Sequence, residues 1–557
     1  MTQPHSQPAT PRSYYRSPAQ VMRLARMGSA HPMRLSFLRI LLRRVAQENW
    51  RFERQLWQVD ARGVGRAVYC AHGPQRSYSL VAFAHDLPDH MRSDRVIATA
   101  WDATFTLFDG VPSPQDLDRL QENVPLQEAG RIGPRELTLS RANRSVRLFS
   151  HVVGALAQGQ QPDLAELQDV GYLMRTTAVY GAGKFGAADR AAIAQRPEMA
   201  APFQAEMLTV WLIRWFTVDI VNHLAAQQGG AQAVALAPEL CRQLGVGNST
   251  GLGMAPFLVR HPVLLNNWIF AREEALARVR ALPIATPAQL AGLQAALADA
   301  QENASTWRSS HPVQVQKLVS LRADLTRIRD YIETWPSHAP QPWNALWHWG
   351  EATLSLEGQE ALLALMLEPH GDLVDGLAEC LSADEQASFR INGALPLGQL
   401  RQILAQHYAW ALRIDYSQPA QMARFWYVSE EKLEPRLGDR HAEPGAELEQ
   451  PLAIAHLVQA LWADLQAQPD TMPLASFLMA HPQHRLVVRR VLRAPSHPFA
   501  EVQDNLIADT MLPIDLMRCK LAFFGASHFD PRSDKWVRIS LFRGMPYPTE
   551  LAQGALA

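Results

Sequence analysis

From Met207 to Ala225 the chain reads MLTVWLIRWFTVDIVNHLA, its most apolar run. Such a stretch has to be buried, either in a bilayer or at the centre of a packed body. Arg214, Asp219 and His223 lie inside it, and charged groups in a bilayer are costly, so the run reads as a buried helix. It starts near Pro202, where proline suits a first helical turn. The rest of the chain has to be arranged around this helix.

Two glycine-rich loops bracket it. The first, GAGKFG, places Gly181, Gly183 and Gly186 around Lys184 and matches a dinucleotide fingerprint letter for letter. That fingerprint works only where a parallel strand feeds the turn and a helix follows. Here a mostly helical pattern precedes it until Thr176 to Tyr180, and no βαβ unit follows. What survives is a loop of backbone N–H groups able to hold an anion, with Lys184, Arg175 and Arg190 close by.

The second loop, GVGNSTGLG, contains Asn248, Ser249 and Thr250 in a literal GxSxG. A nucleophilic Ser249 would need a strained strand-to-helix turn, and PELCRQL before it is helix-like. Ligand coordination by Asn248, Ser249 and Thr250, with Arg260 and His261 nearby, competes with close helix packing as the reason for so many glycines. On the helix between the loops, Asp219 and His223 are four apart and share a face, as in an oriented general base or a satisfied buried pair.

The flanking sequence sets the fold class. WQVDARGVGRAVYCA, SYSLVAFAHDL and DRVIATAWDATFTLFDG are rich in β-branched and aromatic residues between turn signals, predicting a small antiparallel meander. Arg141, Arg144 and Arg147 recur every three residues beyond it, predicting a helix with a basic ridge: a solvated face of ion pairs or an anion clamp. Ser113-Pro114, Thr286-Pro287 and Pro312 mark helix starts. Two β-like runs around Asp530 to Asp534 predict a C-terminal hairpin.

The expected fold is therefore mainly α, multi-helix, with room for two packed lobes, an N-terminal meander and that hairpin. The expected boundaries are a tail at 1–17, an α+β domain at 18–160, a central helical domain at 161–335, a proline-rich linker at 336–342 and a mainly helical domain at 343–557.

With 47% hydrophobic and 19% charged residues the chain can bury cores, and a net charge of −1 gives no reason to expect nucleic acid. The start is polar, without a signal-peptide core, and the four cysteines are scattered without a CxxC pair, which predicts a cytosolic protein. Arg12, Arg16, Arg23, Arg26 and Arg34 precede the first acidic residue, Glu48, as in a transit peptide, an anionic-surface anchor or a segment pairing with acids of its own chain.

HExxH is absent and none of the 19 histidines follows a glutamate by three, so no metal set is assigned. His85 with Asp86 and His90, His481 with His484, and His528 with Asp530 remain as isolated clusters. Phe425 to Tyr427, next to a run of charges, would suit a pocket wall or an interdomain plug.

The functional expectation is an enzyme for a small anionic metabolite, bound by Arg144, Arg175, Gly181, Gly183, Lys184, Gly186, Asn248, Ser249, Thr250 and Arg260. Asp219, His223, His261 and Ser249 are the catalytic candidates. A non-catalytic helical scaffold or ligand sensor, and a peripheral binder of anionic surfaces, are the alternatives. Reaction class, cofactor and oligomeric state are left open.

Overall fold

Alternation of side chains along six segments between Arg51 and Gly181 builds one antiparallel sheet in a computed structural model of the chain. The structure describes residues 12–92, 100–125, 133–181, 193, 195–244, 262–308, 312–381, 390–413, 415, 426–429, 435–437, 446–448, 450–503 and 522–523. Contacts divide the chain into two discontinuous units. One comprises Ser36–Gly253, Asp299–Leu318 and Leu521–Ala557; the other comprises Met1–Leu35, Met254–Ala298 and Val319–Lys520.

The first unit holds α1 (Phe37–Gln47), then β1 (Arg51–Val59), β2 (Gly65–His72), β3 (Ser77–Ala84) and β4 (Ala103–Asp109). It continues with α2 (Pro114–Asn123), β5 (Glu136–Arg144), α3 (Phe149–Ala157), β6 (Met174–Gly181) and α4 (Gln204–Gly229). The strands lie in sequence order, every neighbour antiparallel. Gly65 opens β2 at φ +146, where a Cβ would collide with the Gln58 carbonyl across the turn.

The sheet is covered on both faces, which is why its inner strands read as nearly unbroken apolar runs. Val68, Cys70, Val81, Phe83, Phe108 and Leu139 pack with Leu117 and Leu120 of α2. That helix starts where Ser113-Pro114 marks it, behind a capping box formed by Ser113 and Asp116. On the opposite face lies α4. Phe216 meets Tyr69 edge-on at 6.4 Å and Phe105 at 5.3 Å, and Phe52 meets Trp211 at 4.9 Å.

The β content is thus larger than the expected small meander. The segment of Arg141 and Arg144, expected as a helix with a basic ridge, is the inner strand β5, with Glu136 to Ser140 buried between β4 and β6. In place of a ridge, Arg141 lies over the Trp101 ring at 4.7 Å and Arg144 over Phe149 at 4.9 Å. The C-terminal hairpin is corrected as well. Most of its span is outside the described residues, and Ala522 and Phe523, which are described, are helical.

The second unit is helical. It contains α5 (Pro262–Arg280), much of α6 (Pro287–Thr306) and α7 (Pro312–Thr334), then α8 (Pro342–Thr353), α9 (Leu356–Leu367) and α10 (Leu397–His407). After a small sheet of β7 (Trp426–Ser429), β8 (Pro435–Leu437) and β9 (Ala446–Leu448) come α11 (Gln450–Gln466), α12 (Leu474–Ala480) and α13 (Arg485–Arg493). Helix α6 begins behind a second capping box: Gln289 N donates to Thr286 Oγ1 at 3.3 Å, and Thr286 N to Gln289 Oε1 at 2.9 Å.

The proline-rich stretch 336–342 lies within this unit, where Trp335 Nε1 donates to the Pro342 carbonyl at 3.2 Å. Helices α10 to α13 share one core, with Leu400, Leu404, Val458, Leu461, Phe477 and Val488 fully buried. Arg16 is also buried, within the stretch expected as a tail, and is gripped by Glu273 of α5 and Glu360 of α9. No described helix is long and apolar enough to cross a membrane.

Candidate functional site

Helix α4 presents its three marked residues to three different partners. Arg214 is buried and donates from Nε to the Leu244 carbonyl at 2.7 Å and from Nη2 to that of Cys241 at 2.8 Å. It thereby satisfies carbonyls at the end of the short helix Pro238–Cys241. Asp219 Oδ2 accepts from the Tyr69 hydroxyl at 2.8 Å and from Arg54 Nη1 at 3.0 Å. His223 Nε2 faces the Asp60 carbonyl at 2.8 Å, so that nitrogen carries the ring proton, and the ring meets Trp57 edge-on at 5.5 Å. The carboxylate and the imidazole therefore bond to different strands and turns of the sheet.

Burial raises the Asp219 carboxyl above its ordinary value, outweighing the opposing pull of the Tyr69 hydrogen bond and Arg54. A raised carboxyl value means that ionisation weakens the fold. Stability from this group is complete below the unfolded value of 3.8 and is lost as pH rises through the higher folded value. Asp219→Asn is expected to remove that slope and to be nearly neutral at pH 7. Asp219→Ala, which strands the Tyr69 hydroxyl, is expected to cost about 1–3 kcal/mol in urea unfolding. Equal losses in the two variants would contradict this assignment.

The other sequence-marked residues of this unit are similarly engaged. Arg144 donates its backbone N–H to Asp102 Oδ2 at 2.9 Å, with its Nε 3.7 Å from Oδ1. The same carboxylate binds Arg92 Nε at 2.9 Å. Burial pushes the Arg144 guanidinium down while Asp102 holds it up. Its Nη2 lies at Gly63 in the β1–β2 turn, the turn whose Asp60 carbonyl meets His223. The fold thus brings Arg144 and His223 to one turn.

Arg175 is buried on β6 opposite Asn143, and Gly181 ends that strand opposite Thr138. Because β6 joins an antiparallel sheet, the fingerprint at Gly181 lacks the parallel strand it requires. Gly183, Lys184 and Gly186 lie outside the described residues, as do Asn248, Ser249, Thr250, Arg260 and His261. So do Phe425, His528 and Asp530. His85 bonds Thr104 Oγ1 at 2.9 Å and Asp86 pairs with Arg62 at 3.0 Å, which separates that cluster into two local contacts.

A cavity of about 590 Å³ in the helical unit was not foreseen. Its wall includes Arg489, Arg490 and Arg493 of α13, with His497, Tyr408 and Glu501. Pro262 and Val263, which begin the described part of α5, contribute an apolar side. They directly follow Arg260 and His261 in sequence. The sequence RLVVRRVLR explains the arrangement: Val487, Val488 and Val491 enter the core, and the arginines at 489, 490 and 493 take the opposite side of the helix.

Glu501 anchors one side of the cavity. It accepts the Tyr408 hydroxyl at 2.9 Å and a forked pair from Arg490, whose Nη2–Oε2 distance is 2.7 Å. Burial pushes the Tyr408 hydroxyl well up, reinforced by Glu501, so it stays a neutral donor. Burial also lowers His497, and the Arg493 charge works in the same direction against a hydrogen bond to its backbone. His497 is therefore neutral at pH 7. Three arginines and one glutamate line this metabolite-sized space, with Arg490 bonded directly to Glu501.

No protein-family model, curated protein or solved structure matches this chain.

Proposed function

We propose that the protein binds, and acts on, a small carboxylate- or phosphate-bearing metabolite in the arginine-lined cavity, with His497 available for proton transfer. The observation carrying this reading is the excess of guanidinium over carboxylate on the wall of a metabolite-sized cavity. The reading keeps the anionic ligand expected from sequence and moves its site from the glycine loops to α13. The cytosolic placement expected from sequence is kept with it, since the buried Cys70 and Cys241 are not joined in a disulfide.

The test is calorimetric titration with sulfate, phosphate and citrate at constant ionic strength. Arg489→Ala and Arg493→Gln are each expected to weaken binding about 10-fold or more, the loss of a charge-assisted hydrogen bond. Arg329→Ala removes the same charge from an exposed ion pair with Asp330 and should leave affinity unchanged. Equal affinities in all four proteins would favour the scaffold reading, in which the cavity is a by-product of packing.

A pH series with sulfate, which does not titrate in this range, gives a second check. A seated anion favours protonated His497 against Arg489, Arg490 and Arg493, so affinity should rise as pH falls from 8 to about 6. Affinity that is flat over this interval would remove His497 from the site.

A further inference from the structure

Three helix ends meet at a second cluster in the helical unit. Asp464 lies in the last turn of α11, His481 follows α12, and His484 precedes α13. One carboxylate oxygen, Asp464 Oδ2, faces both imidazoles, at 2.7 Å from His484 Nε2 and 3.4 Å from His481 Nδ1. All three potential ligand atoms lie within 4.8 Å of one another. We propose that Asp464, His481 and His484 form a binding site for a divalent first-row transition metal, with Zn²⁺ the best-fitting ion.

Donor chemistry favours this class, since imidazole nitrogen suits zinc and its neighbours, whereas calcium and magnesium prefer all-oxygen shells. Geometry favours it too. A tetrahedral ion at about 2.0–2.1 Å from each donor separates the donors by about 3.3 Å. The two carboxylate–imidazole distances seen here, 2.7 and 3.4 Å, fall on either side of that value.

The rings are held for this purpose by Phe477, which is fully buried. It stacks on His481 at 4.7 Å and on His484 at 5.9 Å with interplanar angles of 24° and 6°. Fixed ring planes lower the entropy lost on coordination. His484 is almost fully buried, while Asp464 and His481 retain side-chain exposures of 40% and 27%, so an ion has a path in and a coordination position open to water. The hydrogen bond from His484 alone would account for one imidazole. The convergence of a second imidazole on the same oxygen is what a shared cation explains. This inference stands apart from the anion cavity and survives if that reading fails.

The experiment is titration of chelator-stripped full-length protein with Co²⁺, read by its visible ligand-field absorption, followed by competition with Zn²⁺. Wild type should bind one Co²⁺ per chain at this site, displaced by Zn²⁺. Asp464→Asn, which preserves shape, and His481→Gln should each weaken binding at least about 10-fold. The double variant, shown folded by circular dichroism, should lose the absorption. Wild-type protein that takes up no more Co²⁺ or Zn²⁺ than the folded double variant would overturn the proposal and leave the cluster as a hydrogen-bonded clamp. If the double variant does not fold, the two single variants decide: unchanged affinity in both overturns the site.

Discussion

Glu360→Ala is expected to destabilise the helical unit by about 3–5 kcal/mol, the largest loss we anticipate for a single substitution in this unit. Glu360 is completely buried in α9 and accepts from Arg16 Nη1 at 2.7 Å and Arg26 Nη1 at 2.8 Å, with Arg272 on its other oxygen. Glu273 holds Arg16 through two further bonds of 2.8 and 2.7 Å. Three arginines thus share two glutamates in the interior. Burial, with Arg16 adding repulsion and Glu273 opposing it, lowers Arg26 to about 10. Removing Glu360 leaves Arg16 on Glu273 and takes away the carboxylate that Arg26 and Arg272 contact.

The excess of positive charge makes the cluster asymmetric. Arg26→Met should cost less than Glu360→Ala by at least about 1 kcal/mol, because it relieves repulsion and refills the space. The cluster also sets a pH limit. Burial pushes the Glu273 carboxyl up, but Arg16, then Arg272 and Arg26, hold it below its ordinary 4.5. Its contribution is complete above that value and is lost as pH falls through the lower folded one. Urea unfolding from pH 7 down to about 3 measures both effects. Similar losses for Arg26→Met and Glu360→Ala would show that burial, and not charge balance, governs the cluster.

The fold class read from sequence is overturned by the six-stranded sheet, and what is legible is local, where one rule dominates. Ser113-Pro114 and Thr286-Pro287 mark helix starts that form with capping boxes. The apolar run at 207–225 is a helix packed against a sheet, and its internal charges are bound by groups that only the tertiary fold supplies: Arg54, Tyr69 and main-chain carbonyls. Strand β5 shows how a local rule fails. The spacing of Arg141 and Arg144 suits a helix, but Leu137, Leu139, Thr138 and Ser140 are buried on alternating sides of an inner strand, and pairing with β4 and β6 decides the conformation.

The candidate sites were harder to read for a different reason. The arginines of α13 do lie on one side of a helix, yet that helix is short and sits between Pro482 and Pro495, so the region reads as proline-broken. His481 and His484 are visible as a pair, but Asp464 reaches them only through the packing of α11 against α13 in the folded chain. Nor does spacing along the chain show that Glu501 turns back to meet Tyr408.

Glu501→Gln should separate an anion site from a cavity that merely contains arginines, because it moves stability and affinity in opposite directions. The carboxylate ties Arg490 to Tyr408, so its neutralisation is expected to cost about 1–3 kcal/mol in unfolding experiments. The same change removes the negative charge facing Arg489 and Arg493 and releases Arg490 toward the cavity. If an anion binds there, sulfate affinity should rise about 10-fold, and the gain should shrink with added salt as surface charge is screened. A cavity that does not seat an anion gives no such gain: sulfate affinity would stay flat while the fold weakens. Sulfate affinity that fails to rise in a Glu501→Gln protein shown folded by circular dichroism would therefore overturn the anion reading even if Arg489→Ala also reduced affinity, since truncating an arginine harms any packed cavity while only a bound anion gains from losing this charge.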